Sequence, residues 1–376
     1  MNSINNINRE SFYQTINELI TFLRYQPEIL GYEGFKILSL LNRMKSLKEN
    51  SGLNHPSMPN LLNHIGNILD ESNLLQFSLL FFLEQLRIER YYLGSYHPDL
   101  AITLCKIGEI HIKNGQFSEA KKSFIGALLI MKNNNIKGRL YALIIYNLGL
   151  VKYYQHSYDY AFELFNISVK ELRATCGNFH RDVAEIHLKI ADLQKEIGKL
   201  KDAMDNYLEA LIILRMNCGN IHQEVFEVLC KIGFIHKAKD EYHASSNSFN
   251  QALDVLRELQ GENTCMILIL YEIGLIHQAT GDITNTIKIC KEVVELLKLQ
   301  LGEKHICLVS VLALLCNLYS EHGMTENLKN TNNEIRDICN KASHIPNLLC
   351  NDEFENVVIQ IFGYPIEYSP PVAGAA

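Results

Sequence analysis

Five histidines stand at one recurring place in the chain: His55, His97, His180, His222 and His305 each close a Gly-x-x-His connector. Imidazoles in a row suggest a metal site or a chain of bases. The spacing argues against a shared ion, because equivalent atoms of neighbouring helical units stand roughly 8 to 10 Å apart, whereas zinc ligands sit ~2 Å from one ion. These side chains are expected to organise turns. Cys176 and Cys218 are likewise equivalent and 42 residues apart, too far for a disulfide between neighbouring units. No Cys-x-x-Cys pair occurs, and Cys105, Cys230, Cys290 and Cys316 sit inside helical patterns as small hydrophobes. Phosphate-loop, zinc-protease and nucleophile-elbow motifs are all absent, and the acidic residues are spread along helix faces. The sequence therefore predicts no catalysis, no cofactor and no bound metal.

The elements that carry these residues follow from composition and periodicity. The chain has 376 residues, 47% of them hydrophobic and 20% charged, with no Trp, so a large core is affordable and long disordered tracts are not expected. With 35 basic against 42 acidic residues the net charge is −7, which disfavours a nucleic-acid coat or a binder of anionic membranes. The N-terminus is Asn-rich and lacks a signal-peptide pattern. The longest apolar runs are about half of the ~20 residues that a spanning helix needs. A reducing, cytoplasmic setting is expected, with no nucleic-acid or membrane partner.

An internal period dominates. The run Ile107-Gly108-Glu109-Ile110 has counterparts whose small residue falls at 66, 108, 149, 191, 233, 274 and 316, in steps of 42, 41, 42, 42, 41 and 42 residues. Inside each unit the apolar residues recur at helical spacing, as in Ile102, Ile107 and Ile110 followed by Phe117, Ala120, Phe124, Ala127 and Met131, which predicts two amphipathic helices per unit. A Gly or polar residue seven positions after the small one (Gly115, Gly198, Asp240, Gly281, Gly323) allows the first helix to stop and reverse. Small residues in the second helix (Ala120, Ala161, Ala203, Ser245, then Ala127, Ser168, Ala210, Ala252) predict close helix contact. Between units, Gly ends one helix and Pro or an acidic residue opens the next.

The 42-residue hairpin, its Leu-Gly-type small residue, its later Ala pair and a Gly-x-x-His-Pro-Asp connector at 94–99 resemble the tetratricopeptide repeat, specifically the kinesin-light-chain-like (nephrocystin-like) subclass. The resemblance covers roughly residues 55 to 340. It implies an all-α, right-handed superhelical solenoid of antiparallel helix pairs, about seven repeats plus capping helices, whose concave face grips a peptide or partner segment. The expected organisation is a tail over 1–9, a leading hairpin over 10–53, the solenoid over 54–344, a capping helix over 345–364 and a tail over 365–376.

In the family, first-helix side chains line that groove, and the matching positions here predict the binding residues. Two before the small residue stand Lys106, Asn147, Lys189 and Lys231; one earlier come Asn63, Tyr146 and Tyr271; four after it come Tyr153, Lys195 and Lys237. Only Asn63 and Asn147 retain the family's peptide-holding asparagines. The five lysines predict a basic stripe for an acidic segment with aromatic anchors, tempered by Glu185, Glu196 and Glu227 nearby. His111, His236 and His277, three after the small residue, are expected to be packed or half-exposed. The predicted function is a non-catalytic interaction scaffold or adaptor. A kinesin-type cargo adaptor and a self-associating array are the alternatives, the first set against the absence of the founding members' heptads, the second resting on an apolar C-terminal stripe, Phe354, Val357, Val358, Ile361 and Phe362.

Overall fold

The computed structural model describes residues 9–25, 27–51, 55–259, 263–305 and 307–342, and among them the only regular structure is α-helix. Apart from Arg9, which is helical, the expected tails lie outside the described residues, as do the C-terminal stripe at 354–362 and the connector residues 52–54 and 260–262. The chain divides into two compact units, Met1–His180 and Arg181–Ala376.

The first unit holds α1 (Arg9–Tyr25), α2 (Pro27–Ser51), α3 (Met58–Glu71), α4 (Leu75–Leu93), α5 (Asp99–Lys113), α6 (Phe117–Asn133), α7 (Arg139–Tyr154) and α8 (Tyr158–Cys176), packed as successive antiparallel pairs. Pro27 separates the first two apolar stripes because it can open a helix but not continue one. Phe12, Leu19, Ile37, Leu41 and Ile65 are all but fully buried together, and the Phe12 ring meets the Phe81 ring edge-on at 5.5 Å. The second unit repeats the plan with α9 (Arg181–Glu196), α10 (Leu200–Cys218), α11 (Gln223–Ala238), α12 (Tyr242–Glu258), α13 (Asn263–Ala279), α14 (Ile283–Leu301), α15 (Leu308–Glu321) and α16 (Thr325–Ala342).

In five of the seven repeats the small residue of the first helix has an aromatic partner sixteen positions later: Phe82, Phe124, Phe165, Tyr207 or Phe249. A Cβ added at Gly108 would lie 2.6 Å from two ring atoms of Phe124, and the same crowding recurs between Gly149 and Phe165 at 2.7 Å, Gly233 and Phe249 at 2.8 Å, and Gly66 and Phe82 at 2.9 Å. Absence of a side chain is thus what admits the aromatic ring. The complementarity fades at Gly274, where the nearest atoms would be Ile289 at 3.5 Å and Cys290 at 3.7 Å. The expected small residues of the second helices, Ala120, Ala127, Ala161, Ser168, Ala203, Ala210, Ser245 and Ala252, are all fully buried. Serine adds a hydrogen bond where it replaces Ala: Ser78 Oγ donates to the Gly66 carbonyl at 2.7 Å and Ser245 Oγ to the Gly233 carbonyl at 2.8 Å.

Every repeat turn uses one device. A residue with positive φ follows the first helix, and the next N–H reaches back to the carbonyl five residues earlier, as in Gln116 to His111 at 2.8 Å and Asp282 to His277 at 2.9 Å. Asn73 at φ 58° and His156 at φ 56° complete the series that the sequence outlines with Gly115, Gly198, Asp240, Gly281 and Gly323. Neither residue type announces a left-handed turn as clearly as glycine does.

Candidate binding face

Four of the five connector histidines fasten the turn to the next helix, and one of them, His222, stands at the N-cap itself. In His55, His97, His222 and His305 the ring Nδ1 accepts the backbone N–H two residues later, at 3.2 to 3.3 Å, and at His222 this satisfies a donor that the N-terminus of the following helix leaves unpaired. The half-buried first-helix histidines fasten the other turn: His236 Nδ1 donates to the Glu241 carboxylate at 2.6 Å, His111 Nδ1 lies 2.7 Å from Gln116 Oε1, and His277 pairs with Asp282 at 3.3 Å.

One connector gathers a possible ligand set that comparing histidines between repeats overlooks: atoms of Cys218, His222 and Glu224 lie within 4.8 Å of one another. All three are already engaged. The Cys218 thiol donates to the Leu214 carbonyl at 3.0 Å, His222 caps α11, and Glu224 is paired with Arg181. The same Nδ1 bond to the N–H two residues on recurs at His55, His97 and His305, two of whose connectors have Leu in place of Cys218 at Leu93 and Leu301. The described cysteines are free thiols. Burial pushes Cys105 up to about 12 and Cys290 up to about 11, and pushes Cys230 higher still. None of these three is an activated nucleophile at neutral pH.

In the first unit, Lys106 reaches Glu109 at 3.3 Å, and Asn147, donated by the neighbouring first helix, contacts the other oxygen of that carboxylate at 3.4 Å. Lys113 and Asp70 join α5 to α3 at 2.7 Å. Asn63 is half-buried. Tyr146 is 4% exposed and packs on Phe165 with ring centroids 5.5 Å apart, so it belongs to the core of the α7/α8 pair. Tyr153 sits at the far turn in an aromatic group with Tyr154 at 5.4 Å and Tyr158 at 5.9 Å.

In the second unit the lysines converge on carboxylates. Asp192 of α9 accepts from the Tyr207 hydroxyl of α10 at 2.5 Å and from Lys231 of α11 at 2.7 Å, with Lys189 at 3.9 Å. Burial raises the Asp192 pKa, but the charge and hydrogen bond of Lys231, with help from Tyr207 and Lys189, outweigh it, and the carboxyl is held below the usual range. Lys231 also lies over the Tyr207 ring, 5.6 Å from its centroid. Burial lowers the pKa of Lys195, with Asp192 opposing the shift. Lys237 is paired with Glu272 of α13, and the adjacent Tyr271 is half-buried, its phenol pushed up by burial and then by Glu272.

The predicted stripe is therefore a ladder of mixed sign. Asp192, Glu109 and Glu272, each on a first helix, pair directly with these lysines, and Glu196, one of the expected neutralisers, also acts on Lys195. Asp192 is the residue that reasoning on the sequence misses. Its signal exists only after the repeats are superposed, when an acid one place after the small residue faces a lysine two places before the next one.

Residues 101–134 match the family model described as the tetratricopeptide repeat. No protein of curated function matches the sequence significantly. Among solved structures, the C-terminal part of a TPR repeat-containing protein from Cytophaga hutchinsonii is similar with a TM-score of 0.55 and 11% identity, over 73% of this chain and 94% of that one. BtubC (BKLC) from P. vanneervenii gives 0.52 and 18%, over 61% and 91%. Nearly identical TPR-like repeats of a Podosopora anserina protein assigned to the kinesin light chains give 0.46 and 14%, over 55% and 99%, a likeness too low to argue from. No described helix is long and apolar enough to cross a membrane. The helix pairs, their turns and the two closer likenesses together show the fold: this chain stacks its helices as tetratricopeptide-repeat proteins do.

Proposed function

We propose that the chain is a non-catalytic scaffold or adaptor that binds an extended segment of a partner protein along its first helices, and that it belongs with the kinesin-light-chain-like (nephrocystin-like) repeats. The observation that carries the reading is the gathering of Lys189, Lys195 and Lys231 around the carboxylate of Asp192, with Lys237 six residues beyond Lys231 on the same helix. Acidic side chains of a partner would meet the excess positive charge there, and Tyr271 would offer an aromatic ring. In the first unit Asn63, Lys106, Asn147 and Tyr153 supply the corresponding polar and aromatic contacts, with Tyr146 behind them. Free described thiols fit a reducing, cytoplasmic setting.

The test is quantitative co-purification from native cells with wild type and a Lys106→Glu/Lys189→Glu variant. These two lysines are 40% and 36% exposed, so reversing them leaves the core intact. The account predicts selective loss of proteins that carry acidic segments with aromatic residues. Unchanged recovery would remove the first-helix face from consideration.

A further inference from the structure

The joint between α4 and α5 in the first unit departs from the apolar rule that its sister repeats keep. Twenty-three residues after the small residue, the five following second helices bury Met131, Leu172, Leu214, Leu256 and Leu297, whereas α4 places Glu89 there, 8% exposed. Five residues before the small residue, the later first helices bury Ile144, Ile186, Val228, Ile269 and Val311, but α5 has Thr103, 2% exposed. Gln85, 7% exposed, stands where the sister helices bury Ala127, Ser168, Ala210, Ala252 and Val293. The three exceptions meet. Thr103 Oγ1 donates to Glu89 Oε2 at 2.7 Å, and Gln85 Nε2 donates to Glu89 Oε1 at 2.7 Å and to Thr103 Oγ1 at 3.1 Å. A polar bridge thus replaces aliphatic packing across this one joint.

The bridge is a poor one for an ion. Among the described residues, the charged groups that act on Glu89 come from the α5 side: Asp99, of like sign, and His97, which is favourable only when protonated. Helices α1 and α3, which also pack on α4, bring Phe12, Leu62, Ile65 and Leu69 to the apolar cluster that holds Phe81 and Ile88. A buried carboxylate with hydrogen bonds but no steady cation weakens the packing around it. Burial accordingly pushes the Glu89 carboxyl above the usual carboxylate range, with the bonds from Gln85 and Thr103 opposing the shift. Gln85 Oε1 is buried without a hydrogen-bond partner, so a neutral Glu89 would bring a donor into a cluster that holds a spare acceptor. We propose that the α4/α5 joint is operated by a proton: ionised Glu89 loosens the packing of α4 on α5, and a proton taken from solvent onto its carboxylate tightens it. Because the carboxyl is raised in the folded chain, its ionisation costs stability above the folded pKa, and the cost is relieved as pH falls towards the ordinary value of about 4.5. Asp192 in the second unit, whose carboxyl is lowered, works in the opposite sense.

The device needs no partner on the first-helix face. Each repeat of a stacked array contacts only its neighbours, so a change in one joint is read locally. The test is hydrogen exchange of the full chain, followed by mass spectrometry at about pH 7.5 and about pH 5 and corrected for intrinsic exchange, with the amides of α8 as the internal reference. In wild type the protection of α4 relative to α8 should rise at least about twofold on going to the lower pH. Glu89→Gln keeps the shape without the charge, and Glu89→Leu copies the sister helices; both should abolish the rise. His97 and Asp99 are present in all three proteins, so their own titration cancels from the comparison. A flat or falling ratio in wild type, or the same rise in either variant, would overturn the proposal.

Discussion

The pairing of Gly108 with Phe124 permits a sharp test of how closely the helices approach. Adding one methyl group at Gly108 should gain about 1 kcal/mol of helix propensity. Against this, its Cβ would stand 2.6 Å from two atoms of a fully buried ring, which has nowhere to retreat. Overpacking of this kind costs about 1 to 3 kcal/mol. Because the ring cannot retreat, the cost falls in the upper part of that range, about 2 to 3 kcal/mol, so the net expectation for Gly108→Ala is destabilisation by roughly 1 to 2 kcal/mol, or a thermal midpoint lower by about 2 to 8 °C for a unit of this size. Gly274 occupies the equivalent place, yet its added Cβ meets Ile289 and Cys290 at 3.5 and 3.7 Å, ordinary contact distances. Gly274→Ala should therefore stabilise by about 0.5 to 1 kcal/mol. Circular dichroism followed through heat and urea would read both, and Gly108→Ala combined with Phe124→Leu should recover part of the loss. Equal shifts for the two glycine variants, or a harmless Gly108→Ala, would refute the argument that ring and glycine are fitted to each other.

Further outcomes follow from the turns and the ladder. His222→Ala removes the acceptor for the Glu224 N–H and should cost about 0.5 to 2 kcal/mol, whereas His222→Asn, which can cap, should recover most of it; paired urea midpoints measure both. At His305 burial lowers the folded pKa below the ordinary ~6.5. The unfolded chain then binds the proton more readily, so this contribution is present above about 6.5 and is lost as pH falls through the folded value; His305→Asn should flatten that part of a stability profile. Asp192→Asn keeps the shape but leaves Lys231 facing a neutral amide, at an expected cost of about 1 to 3 kcal/mol after allowing for partial exposure of the pair. Because the Asp192 pKa is lowered, its contribution exists above about 3.9 and disappears as pH falls through the folded value, so acid titration of the variant should lack that limb.

The fold was legible because each repeat writes the same physics again. Small residues at 66, 108, 149, 191, 233, 274 and 316 mark where helices touch, and a period of 42 residues survives even where a single position has drifted. Local chemistry was less visible. The histidine connectors announced a turn, but the bond from Nδ1 to the N–H two residues on depends on a backbone geometry that composition does not reveal. Asn73 and His156 hide in the sequence because each is polar and otherwise unremarked, while their φ angles make them equals of Gly115. The binding face was readable as a list of positions and not as an electrostatic surface. Lys231 meets Asp192 across 39 residues of sequence, and Tyr207 joins them from a second helix, so the sign of the ladder emerges only when neighbouring helices are packed. Tyr146 illustrates the converse: its register fits the binding face, but the Phe165 ring draws it into the core.

The central claim is that a partner lies along the first helices. Lysine acylation followed by mass spectrometry, on the protein alone and on the complex recovered from native cells, tests it directly. The account predicts that Lys106 and Lys189 become protected in the complex while the exposed second-helix lysines Lys121 and Lys201 react as before. Protection of Lys121 and Lys201 with undiminished labelling of Lys106 and Lys189 would place the partner on the opposite surface and contradict it.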